Sequence, residues 1–163
     1  MPVAPVAYQP PPPPRRVFSL TISPLLLLFP IVELTGELRA HDKLGVAFIG
    51  GVGRYTDSSV NISAAVYELG AQLRFYPIGD FRHGMQLGAE VLYLHMSQSN
   101  LSLRGEGVGV GPFFGYKVIS DAGFTFDTQL GAQYIGVRAT DGNAAASDQE
   151  FIVLLNLNIG WSF

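Results

Sequence analysis

Apolar and polar residues alternate one for one through most of this chain, and within the alternating stretches the charged residues share one side. The segment 151–163, "FIVLLNLNIGWSF", shows the pattern. Phe151, Val153, Leu155, Leu157, Ile159, Trp161 and Phe163 form one set, and Ile152, Leu154, Asn156, Asn158, Gly160 and Ser162 the other. Successive side chains point to opposite faces of a β-strand, so the spacing predicts a long strand with one wholly apolar face.

The same rule recurs upstream. In 31–40, Val32, Leu34, Gly36, Leu38 and Ala40 oppose Glu33, Thr35, Glu37 and Arg39. In 67–77, Tyr67, Leu69, Ala71, Leu73 and Phe75 oppose Glu68, Gly70, Gln72, Arg74 and Tyr76. Stretches 43–55, 85–96, 105–118 and 124–136 behave alike, and 17–24 sets Phe18, Leu20 and Ile22 against Ser19, Thr21 and Ser23. With the closing segment these predict eight strands. Leu-Gly-Ala recurs at 69–71, 87–89 and 130–132, but its irregular spacing excludes a fixed-period solenoid.

The connections alternate in kind. "HDK", "IGDFRHG" and "ISDAG" are short and turn-like, whereas 56–63, 98–104 and 141–149 are polar and longer. The "PLLLLFP" stretch, 24–30, falls at the longer-loop end and is oddly apolar for a loop.

Residues 1–16, "MPVAPVAYQPPPPPRR", are proline-rich and aperiodic, and predict an extended tail or linker ahead of a domain at 17–163. The apolar run that follows is interrupted by Pro24 and Pro30, which break a helix ladder, and it falls short of the ~20 residues a helical span needs. No small-residue cleavage site follows it, so an export signal is not read in the residues given.

Composition settles which side of the strands meets what. Of 163 residues 48% are apolar and 14% charged, against roughly 25% charged in ordinary soluble domains. The net charge of −3 comes without a basic stripe, which argues against nucleic-acid binding. Without cysteine, disulfide frameworks and Cys-based zinc sites are excluded. Glu33, Glu37, Arg39, Glu68, Arg74, Glu90, Lys117 and Asp127 lie on the polar face, together with Gly70, Gly88, Gly107, Gly109, Gly111, Gly115, Gly131 and Gly160. Eight strands enclose barely enough room for ordinary side chains. The aromatic-rich face therefore belongs outside, and the glycines and charges inside. Lipid is the medium such an exterior fits, and in lipid a sheet must close on itself. The expectation is an all-β, eight-stranded antiparallel up-and-down transmembrane β-barrel over 17–163, its loops at 56–63, 98–104 and 141–149 facing outside.

Leu155, Leu157, Ile159, Trp161 and the final Phe163 resemble the C-terminal β-signal of Gram-negative outer-membrane proteins. The stretch 17–163 resembles small eight-stranded outer-membrane barrels of the OmpA/OmpX type, and the loosely characterised outer-membrane β-barrel-domain proteins. That resemblance implies an integral outer-membrane protein, monomeric, in contact with outer-membrane lipid and recognised through its last strand by the barrel-assembly machinery. It is architectural and carries over no functional residue.

Candidate sites are few. "GEGVGVGPFFG" has glycines spaced by two, which share one strand face, and no helix follows as a dinucleotide site needs. His95 and Ser97, two apart on the outer face, with Glu106 downstream, resemble slightly the His-x-Ser pair of outer-membrane lipid A deacylases, in which a histidine base activates a serine. The pair is mid-chain, where the deacylase motif is near the C-terminus, and an interfacial histidine is the plainer expectation. His41 and His83 fall in turns far from His95, so no metal site is expected, nor any cofactor. The lumen charges are expected to fill the barrel as a paired network rather than to conduct. The sequons at Asn61 and Asn100 carry no meaning in a bacterial protein. The functional expectation is a non-enzymatic structural or surface-interaction role. The alternatives are a deacylase-like hydrolase or a soluble, lipocalin-like binder of apolar ligands.

Overall fold

A computed structural model describes residues 15–57, 62–98, 103–141 and 144–163. Residues 1–14 of the proline-rich tail, Asn61, Asn100 and the tips of the three polar connections lie outside them. The strands are β1 (Phe18–Ile22), β2 (Ile31–His41), β3 (Leu44–Asp57), β4 (Ile62–Gly79), β5 (His83–Gln98), β6 (Leu103–Ile119), β7 (Phe124–Asp141) and β8 (Ala144–Ser162). Among the described residues the only helical piece is a 3-10 turn, Leu26–Leu28.

Each strand pairs antiparallel with its neighbour in sequence, and β1 pairs with β8 to close the ring. Closure removes free sheet edges wherever both strands run together. The β1–β8 join is short, four rows from Ser19↔Ser162 to Ile22↔Ile159, whereas β8 follows β7 along its whole length.

The two faces separate as the alternation predicts. Leu73 and Phe114 are 59% and 50% exposed on the outside of the ring, while Glu68 and Glu90 are 8% and 4% exposed within it. Glycine lets the interior fill. Phe113 turns inward on β6 and its ring occupies the space a side chain at Gly88 would need.

Short turns join β2–β3, β4–β5 and β6–β7 at one end. Gly79 (φ +80°) and Gly123 (φ +111°) take left-handed backbone there, which favours glycine. At the other end the described residues of the expected loops continue the ladder. Gln149, Asp148 and Ser147 pair with Gly136, Val137 and Arg138, so β8 begins at Ala144 rather than 151. β3–β6 likewise run into 56–63 and 98–104. Backbone pairing does not depend on apolar side chains, so the strands continue past the apolar belt.

The first strand is shorter than the expected 17–24. It ends at Ile22, and the 24–30 link leaves the wall level with Leu34 and Ile159, inside the apolar belt. Leu27, Leu28 and Phe29 are exposed there. That position accounts for a connection made of leucines.

Candidate functional site

The charged residues inside the ring converge on Glu37. Arg74 Nη1 lies 2.7 Å from Glu37 Oε2 and 2.7 Å from Asp127 Oδ2. Lys117 Nζ lies 2.7 Å from the same Glu37 oxygen and donates to Ser19 Oγ at 2.9 Å. Tyr76 OH donates to Glu37 Oε1 at 2.6 Å. All are buried, Arg74 being only 1% exposed. Buried charges persist only when paired and hydrogen-bonded. Every charge of this cluster is paired, and of its donors only Arg74 Nη2 is buried without a hydrogen bond among the described residues.

Amides extend it. Arg74 Nε donates to Gln72 Oε1 at 2.7 Å, and Gln72 donates to Glu90 and, at 3.0 Å, to Gln129 Oε1. Gln133 Nε2 donates to the other Glu90 oxygen at 2.8 Å, Asn156 Nδ2 to Gln129 at 3.1 Å, and Gln86 to Asp127. Below lies an apolar stopper. Phe81, from the β4–β5 turn, points into the ring against Tyr76, with Lys117 Nζ 3.7 Å over its ring. Phe81, Tyr76 and Ile119 are fully buried.

The eight charged residues singled out in the sequence thus divide. Glu37, Arg74, Lys117 and Asp127 form the core, and Glu90 joins through amides. Glu33 and Glu68 meet each other across Gly51, which ladder pairing places between them. Neither has a basic partner within ion-pair distance among the described residues, and Glu33 Oε1 is buried without a hydrogen bond. Arg39 stands apart from this network. It lies at the turn-end mouth, paired with Asp42 at 2.5 Å, because β2 reaches the rim two residues below Glu37. Its hydrogen bond holds the exposed Asp42 carboxyl below the usual carboxylate range. The bridging amides and Phe81 were not singled out in the sequence. Gln72 lies on the polar face of 67–77, the alternation of 124–136 puts Gln129 and Gln133 on its polar face too, and Phe81 is an aromatic in an otherwise polar turn.

His95 and Glu106 are cross-strand partners on β5 and β6, with Nδ1 3.7 Å from Oε1. Ser97 lies two residues on, opposite Arg104, and among the described residues no hydrogen bond joins it to His95. A shallow groove of about 310 Å³ runs beside Glu106 and Arg138 at this rim. His41 and His83 lie at the opposite end, and among the described residues no cluster of ligating side chains forms a metal site. Leu155, Trp161 and Phe163 are exposed on the outside, and Leu157 and Ile159 are half-buried beside them.

These features define the class: an all-β protein whose eight antiparallel strands form a closed ring with charges within and apolar side chains without. Comparison with protein-family models and with curated proteins gives no match.

Proposed function

We propose that the chain is an integral membrane β-barrel of the outer-membrane type, with a structural or surface-contact role and no catalysis. The observation that carries this is the outer belt. From Leu20 on β1 to Trp161 on β8, the outward positions between the two rims hold exposed leucines, valines and aromatics and no charge. Leaving a large apolar side chain in water forgoes about 1.5–3 kcal/mol each, and so many together would not stay dispersed.

The belt has the dimensions of a bilayer core. Trp161 and Phe151 stand ten positions apart on β8, about 33 Å of strand at ~3.3 Å per residue. At a tilt of about 40° that gives roughly 25 Å of height, the height of a membrane barrel's apolar band. Arg54, His95, Glu106 and Arg138 follow on the same faces, just beyond Val52, Tyr93, Val108 and Tyr134. At Tyr93 and Tyr134 an aromatic precedes the charge, as at a membrane–water boundary.

A soluble binder of apolar ligands would need an apolar interior, and this one is occupied by the Arg74 network. The filled interior and the Phe81 stopper also support a barrel that does not conduct. Residence in a Gram-negative outer membrane and insertion through the last strand follow from the same reading. The test is electrophoresis after detergent folding, with and without boiling. A shift on boiling is expected, and a single unshifted band overturns the proposal.

The hydrolase reading has one observation in its favour, the His95–Glu106 juxtaposition. Its serine lacks the hydrogen bond to the base that activation requires.

A further inference from the structure

The closing seam carries a feature that barrel closure does not need. On the outside, Leu20, Ile22, Phe124, Ile159, Trp161 and Phe163 line an almost wholly apolar groove of about 460 Å³, within the roughly 300–1,000 Å³ of ligand pockets. Aromatic contacts hold its walls: Phe124 packs edge-on to Trp161 at 6.5 Å, and Phe163 stacks on Phe18 at 6.4 Å.

The groove's foot is polar and basic. A Cβ at Gly123 would lie 2.6 Å from Trp161 Nε1 and 2.8 Å from Arg16 Nη1, so the indole N–H and the guanidinium converge over this glycine. Arg16 donates to the Ser162 carbonyl at 2.5 Å and the Asp121 carbonyl at 2.6 Å. A guanidinium has five N–H donors, so others are left without a partner among the described residues. The indole N–H donates to no described residue. Arg15 stands next to Arg16, and the nearby Asp121 carboxylate is taken up by Arg82.

We propose that this seam seats an anionic glycerophospholipid, one acyl chain in the groove and its phosphate on Arg16 and the Trp161 indole. The inference rests on the membrane reading and deepens it. Arginine recognises phosphate through directed, charge-assisted hydrogen bonds. The groove begins at the turn-end rim and runs up β1 and β8 into the apolar belt, which is the course an acyl chain takes from its headgroup.

Trp161 is the chain's only tryptophan and lines the site, so it reports occupancy directly. The full chain is reconstituted in vesicles of brominated phosphatidylcholine, whose bromines quench indole fluorescence. Unbrominated phosphatidylglycerol is then titrated in. Both lipids carry the phosphate, so the preference comes from the net negative charge of phosphatidylglycerol beside a basic side chain at the membrane surface. Phosphatidylglycerol is expected to displace the quencher from Trp161 about fivefold better than its share of the lipid. Arg16→Gln should bring the ratio to about one in protein that still shifts on boiling. Added salt should weaken the preference in the wild type, which needs no variant. A wild-type ratio of one with full quenching, or a fivefold ratio kept in Arg16→Gln, overturns the seat and leaves the barrel standing. Absence of quenching by brominated lipid overturns both.

Discussion

The hydroxyls of Ser19 and Ser162, 143 positions apart in the chain, lie 2.7 Å from each other inside the ring. Ser162 also meets Thr125 Oγ1 at 2.5 Å, so three strands are joined at one point where the sheet closes. Because the chain has no cysteine, Ser19→Cys with Ser162→Cys gives a clean closure test. Side chains this close fit disulfide geometry. The oxidised variant is expected to form the bond without forcing, run faster than its reduced form on a boiled gel, and gain about 4–5 kcal/mol from the long closed loop. Two thiols that both remain free to alkylation would contradict the β1–β8 join.

Arg74 is the residue on which the interior most depends. Replacing it with leucine leaves the carboxylates of Glu37 and Asp127 without the cation between them. Removing one partner of a buried pair costs about 3–5 kcal/mol, read as a lower urea midpoint for the folded protein. Arg39→Ala should change stability by less than ~1 kcal/mol and barely move the midpoint, since its pair with Asp42 is at the mouth, where the Asp42 carboxylate faces water.

Glu33 and Glu37 sit on one strand face, four residues apart, yet should respond oppositely to neutralisation. Glu37→Gln weakens contacts with Arg74, Lys117 and Tyr76, and a charged hydrogen bond is worth about 1.5–3 kcal/mol. Glu33→Gln removes a carboxylate that faces another across Gly51, so stability should hold or rise. The two urea midpoints measured side by side check this.

Lipid A incubated with the folded protein should keep all its acyl chains by mass spectrometry, with Ser97→Ala and His95→Ala indistinguishable from the wild type. Loss of an acyl chain that depends on Ser97 would establish the hydrolase instead.

Strand number, sidedness and the inward charges were legible because a period of two maps directly onto two faces. The extra length of β8 was not, since Ser147, Asp148 and Gln149 read as loop by polarity while their backbones continue the ladder. Nor was the apolar content of the interior. Phe113, Ile49, Val66, Ile135 and Leu154 are buried inside, on faces otherwise marked by polar residues and glycine. Phe113 fits because Gly88 makes room, a relation between two strands that no single segment reveals. The network's core was visible residue by residue, but the division that leaves Glu33 and Glu68 without a cation among the described residues depends on register, and alternation alone does not set register.

The central claim, that the outer face meets lipid, is tested most directly by spin labels at Leu73→Cys, Phe114→Cys and Val153→Cys, with Gln72→Cys as the inward control, in reconstituted vesicles. Power saturation should show the three outward labels reached by oxygen dissolved in the bilayer and shielded from an aqueous nickel chelate, and the inward label shielded from both. Outward labels relaxed by the aqueous nickel complex would contradict the account.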